Sequence, residues 1–108
     1  MLPKPNFEIE LLPEAIDFLE KLDNKSREKI YYNLKKSQFI YDNELFKKLN
    51  EYIWEFRTLY NGKSFRMFAF WDRIDGIETV VIATHGASRA SATAILIQLL
   101  SIFISRRN

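Results

Sequence analysis

Two arginines, a histidine, a glutamate and a pair of lysines are the residues of this 108-residue chain best suited to chemistry. Arg57 ends the run Trp54-Glu55-Phe56-Arg57, Arg66 lies in Lys63-Ser64-Phe65-Arg66-Met67, and His85 precedes Gly86. Guanidinium groups stay charged and grip phosphate oxygens two at a time. An imidazole can give or take a proton near neutral pH. Together these groups suit the binding and cleavage of RNA. Lys47 and Lys48 could hold the flanking RNA backbone or assist proton transfer. Glu55, two residues before Arg57 on one strand face, could neutralise one arginine.

No metal or cofactor is expected in this chemistry. The chain has no cysteine and a single histidine, which excludes disulfides, thiolate metal sites and zinc sites built on paired histidines. The absence of cysteine fits a reducing cytoplasm, and no signal peptide is visible at the N-terminus. The uncharged tail segment 90–105 is shorter than the roughly 20 residues needed to span a bilayer, so a packing helix is expected there. No membrane association is expected.

Charge is unevenly spread around a net +2. Residues 1–23 carry two lysines against six acids, whereas residues 24–73 carry eleven basic residues against six acids. The basic middle is where an anionic partner would bind.

The elements that position these residues can be read from periodicity. Residues 1–108 suffice for one domain with one core. Phe7 to Leu11 alternates like a half-buried strand. Pro13 opens a helix with Leu12, Ala15, Ile16, Leu19 and Leu22 at helical spacing. Asp23-Asn24 breaks it and caps a second helix, which runs to about Ser37 with Ile30 and Leu34 inward. The segment 42–50 reads as a connector. Tyr52–Tyr60 and Lys63–Arg73 read as strands around Asn61-Gly62, a hairpin signal because both residues accept positive φ. Asp75-Gly76 leads into a third strand, Glu78–His85. From about Ser91 an apolar helix is expected, largely buried against the sheet or a second copy. The fold class is therefore α+β, a strand and helical hairpin packed on an antiparallel sheet, followed by a C-terminal apolar helix.

The two tight turns fix a register. Across Asn61-Gly62, Arg57 falls opposite Arg66. Carried regularly across Asp75-Gly76, the ladder places Arg66 opposite His85, so that Arg57, Arg66 and His85 form one row on one face. Trp54, Phe56, Met67, Ala69, Trp71, Val80 and Ile82 then fall on the other face, for the helices to cover. Directly opposed arginines repel and call for an anion between them. On this reading, removing Arg66 leaves stability unchanged or higher.

The segments Leu45-Phe46-Lys47-Lys48-Leu49, Ile53-Trp54-Glu55-Phe56-Arg57, Gly62 to Met67 and Val80 to Gly86 resemble the RelE/HigB-like toxins of bacterial type II toxin–antitoxin systems, in their phage-derived branch. The resemblance spans about residues 7–89. It implies a RelE-like fold and a metal-independent endoribonuclease, an mRNA interferase acting on mRNA at the ribosome and inhibited by a cognate helix-turn-helix antitoxin. It also implies that the ribose 2′-hydroxyl attacks the adjacent phosphate. Arg57 and Arg66 would stabilise the phosphorane, His85 or a lysine (Lys47, Lys48) would move protons, and Glu55 would orient Arg57. After Gly86 the family's basic pair is represented by Arg89 alone, in Ala87-Ser88-Arg89. Two alternatives remain open: a ParE-like toxin that binds a protein target without catalysis, and an inactive remnant that binds only its antitoxin. The C-terminal helix could also form a homodimer.

Overall fold

A computed structural model of the chain describes residues 3–86 and 92–107. The strand β1 (Glu8–Leu11) leads into the helical hairpin α1 (Pro13–Glu20) and α2 (Asn24–Ser37). The strands β2 (Phe46–Lys48), β3 (Trp54–Tyr60), β4 (Lys63–Ile74) and β5 (Ile77–Gly86) follow, and the helix α3 (Ala92–Arg107) ends the chain. The sheet order is β1-β5-β4-β3-β2. β3 to β5 pair antiparallel, as expected, β2 adds to β3 antiparallel, and β1 joins the edge of β5 in parallel, which makes the sheet mixed.

Local chemistry explains the hairpin of helices. Pro13 fills the first turn of α1, where its missing N–H is not needed. Asp23 caps α2 by accepting the Ser26 backbone N–H at 3.1 Å. Ala15 and Leu19 of α1, with Ile30 and Leu34 of α2, pack on Phe56, Met67, Ala69, Val80 and Ile82. Those strand residues are the face assigned to the helices from the sequence. Ile16 departs from that pattern and is exposed.

The two turns are as read. Asn61 and Asp75 take positive φ (53° and 51°), followed by Gly62 and Gly76 (74° and 77°). Neither glycine is crowded; each is required by the left-handed backbone rather than by lack of space.

The segment 42–50 corrects the reading of a plain connector. Phe46 to Lys48 form β2, pairing Lys47 with Glu55 and Lys48 with Trp54. Asp42 starts the turn into it, its carbonyl accepting the N–H groups of Leu45 and Phe46 at 3.0 Å each.

α3 covers the sheet face opposite the helical hairpin. Leu99 is buried against Phe68, Phe70, Val81 and Ala83, with Ile102 and Phe103 packed beside it. Polar contacts tie its middle and its C-terminal end: Gln98 donates to Glu14 at 2.8 Å, and Arg106 pairs with Glu10 at 2.9 Å and Asp72 at 3.2 Å. The expectation of a largely buried tail holds for one side only. Ile97 and Ile104, at 63% and 59% exposure, face outward. No helix among the described residues is long and apolar enough to cross a membrane.

Candidate functional site

Arg57 and Arg66 are direct cross-strand partners in β3 and β4. The Asn61-Gly62 turn sets this pairing: from Tyr60↔Lys63 the ladder runs without interruption to Trp54↔Ala69. Both arginines lie on the α3 side of the sheet, with 39% and 26% of their side chains accessible.

Glu55 lies on the same face and is completely buried. A buried carboxylate needs compensation by paired charge or hydrogen bonds. Glu55 has both: Arg66 Nε donates to its Oε2 at 2.5 Å, and Arg57 Nη2 stands 3.2 Å from its Oε1. The two contacts are unequal. The Arg57 contact is an ion pair outside hydrogen-bond geometry, since Glu55 Oε1 and Arg57 Nε are both buried without a hydrogen-bond partner among the described residues. Arg66 is held more firmly, and its guanidinium also rests 5.1 Å above the Phe68 ring.

The Glu55–Arg66 contact is the part of the site that the residue-by-residue reading missed. Glu55 pairs with Phe68 and Arg66 with Arg57, so Glu55 and Arg66 are diagonal neighbours on one face. Long side chains span that diagonal easily. The hairpin register contained the signal.

Lys47 pairs with Glu55 across β2 and β3 and therefore projects from the arginine face. Three cations and one carboxylate share this patch, leaving two positive charges uncompensated. Lys48 pairs with Trp54 and belongs to the opposite face, where it is exposed. Arg89 lies outside the described residues.

His85 does not join the row. β4 and β5 pair regularly from Ile74↔Ile77 to Ala69↔Ile82, but the next pair is Phe68↔Thr84. Ala83 is the extra residue of a β-bulge, and beyond it the register moves by one. Arg66 therefore faces Gly86, and His85 pairs with Met67. A one-residue shift sends a side chain to the other face. His85 stacks on Phe18 of α1, ring centroids 4.2 Å apart and planes 10° apart. Thr84, at the bulge, donates to Glu14 of α1 at 2.7 Å.

The mixed five-stranded sheet with its helical hairpin and C-terminal helix is an α+β fold consistent with RelE-like architecture, and it carries an opposed, carboxylate-bridged arginine pair. Residues 17–93 match the family described as phage-derived protein Gp49-like (DUF891). The chain belongs to this family, which is of the toxin–antitoxin type and implies an antitoxin partner. No curated protein matches the sequence.

Proposed function

We propose that this protein is the toxin of a toxin–antitoxin pair and acts as a RelE/HigB-like, metal-independent endoribonuclease on mRNA in the cytoplasm, in association with the ribosome. The observation that carries the reading is the Arg57–Arg66 pair on an accessible sheet face. Two like charges directly opposed destabilise a sheet, and Glu55 offsets only one of them. A phosphodiester entering over the pair supplies the missing negative charge.

In this reaction the ribose 2′-hydroxyl attacks the adjacent phosphorus and the 5′-oxygen of the next nucleotide leaves. The products are a 2′,3′-cyclic phosphate and a 5′-hydroxyl. Negative charge grows on the non-bridging oxygens, and both guanidinium groups stabilise it. Arg57, the more loosely held and more accessible, closes on the phosphate. Arg66, fixed by Glu55, is already oriented. Glu55 is thus a positioning residue for both arginines rather than for Arg57 alone. Lys47 shares their face and takes the proton-transfer role, because His85 projects to the other side of the sheet. Arg89 serves the flanking RNA backbone, whereas Lys48, on the opposite face with Trp54, takes no part in the cleavage site. A helix-turn-helix antitoxin would inhibit the enzyme.

The test is incubation of the purified protein with free and with ribosome-bound mRNA, followed by mapping of the new ends. Cleavage giving 2′,3′-cyclic phosphate ends supports the reading. A second reading, a ParE-like toxin that binds a protein target, is favoured by one feature: Glu55 already engages both arginines. Intact RNA together with inhibited gyrase supercoiling would select it. Intact RNA with antitoxin binding alone would identify a remnant.

A further inference from the structure

The two tryptophans of the chain, Trp54 and Trp71, stand on the face opposite the arginine pair. Their rings are 5.8 Å apart at 81°, forming a corner. Phe7 meets Trp71 edge-on at 5.1 Å, and Phe46 stacks on Trp54 at 4.7 Å. These four rings line a cavity of about 200 Å³. At its rim stand Tyr41, 79% exposed, and Asp42.

The carboxylate at this rim is held in place. Asp42 Oδ1 accepts the Glu44 backbone N–H at 2.9 Å, and its carbonyl anchors the turn into β2. Oδ2 accepts no hydrogen bond among the described residues. The rim segment 38–46 contains two acids, Asp42 and Glu44, while Lys48, exposed on this face as the strand partner of Trp54, does not line the cavity. Asp42 is the one charged residue among those that line the cavity.

We propose that the cavity is a socket for a single arginine side chain presented by a polypeptide partner, the antitoxin that the family implies. Aromatic faces attract cations electrostatically. A guanidinium is flat enough to stack on an indole while its edge forms paired hydrogen bonds to a carboxylate. Drug-sized ligands occupy roughly 300–1,000 Å³, so this smaller space fits one side chain rather than a whole cofactor. A nucleobase would also find the rings, but its phosphate would meet Asp42. Charge selects the cation. The socket lies on the far side of the sheet from Arg57 and Arg66, so it stands or falls independently of RNA cleavage.

The tryptophans provide a direct readout, because all indole fluorescence arises here. Titration of the full chain with N-acetyl-arginine amide is expected to change that fluorescence saturably. The neutral citrulline counterpart is expected to bind about tenfold more weakly, as loss of a charge-assisted hydrogen bond implies. Asp42→Asn keeps the Oδ1 acceptor and removes the charge, and is expected to weaken arginine binding by a similar factor with unchanged melting temperature. That variant also separates this socket from the neighbouring cavity of about 160 Å³, which the same indoles share with Leu99 and Phe103. Equal binding of arginine and citrulline, equal binding of N-acetyl-lysine amide, an unaffected Asp42→Asn variant, tighter binding of adenosine monophosphate, or no saturable change would each overturn the proposal.

Discussion

Glu55 reaches diagonally across two strands to Arg66, and this 2.5 Å contact changes what the arginine pair means for stability. From the sequence, Arg66 is a repelling neighbour of Arg57 whose removal relieves strain. In the structure it is the firmer of two counter-ions to a carboxylate with no exposure at all. Removing one partner of a buried ion pair costs about 3–5 kcal/mol. Arg57 remains beside Glu55 after Arg66→Ala, so a smaller loss of about 2 kcal/mol is expected. Urea unfolding of the two proteins measures it. Equal or higher stability of the variant would restore the repulsion argument.

A second expectation concerns Asp23. Its carboxyl is held below the ordinary aspartate range, chiefly by its hydrogen bonding with Ser26. A group whose pKa is lower in the folded state stabilises the fold above its unfolded pKa and loses that contribution as pH falls through the folded value. Asp23→Asn preserves an N-cap acceptor without the charge. Melting curves are expected to show wild type above Asp23→Asn near neutral pH, with the gap closing on acidification through and below the usual carboxylate range. A gap independent of pH would show that the charge contributes nothing.

His85 offers the cleanest separation of face from function. Stacked on Phe18 and turned away from the arginines, it is expected to matter for packing. His85→Ala should cost about 1 kcal/mol of stability and leave the rate of RNA cleavage unchanged. A folded His85→Ala protein with greatly reduced cleavage would return the histidine to the chemistry.

Much of this arrangement was legible in the sequence, and the exceptions have physical causes. Asn61-Gly62 and Asp75-Gly76 announced two hairpins because few residue pairs tolerate consecutive positive φ. The first ladder is regular, so Arg57↔Arg66 followed by counting. The second contains the Ala83 bulge. No glycine or proline marks that position, and a small alanine fits either side of a β-bulge, so the count slipped by one at His85. β2 escaped because three residues are too few to show alternation. β1 was legible as a strand, but its direction depends on where the helical hairpin returns the chain. The half-exposure of α3 was hidden because an almost wholly apolar helix does not indicate which side faces the protein.

That outer side of α3 carries the next expectation. Ile97 and Ile104 lie about two turns apart and remain exposed. Exposed aliphatic surface of this kind favours self-association. Sedimentation equilibrium is expected to show a concentration-dependent dimer that Ile104→Glu weakens. A monomer at every concentration would remove the homodimer from the account.

The most direct measurement of the central claim is the single-turnover cleavage rate of Arg57→Ala and Arg66→Ala on ribosome-bound mRNA, beside circular dichroism of each variant. Loss of one preorganised donor to a developing oxyanion typically costs about 10²–10³ in rate. Each variant is expected to fall by that factor while keeping the wild-type spectrum, with Lys47→Ala also slowed and Lys48→Ala unaffected. Folded arginine variants that cleave as fast as wild type would contradict the account, because no phosphate could then depend on the pair that Glu55 holds.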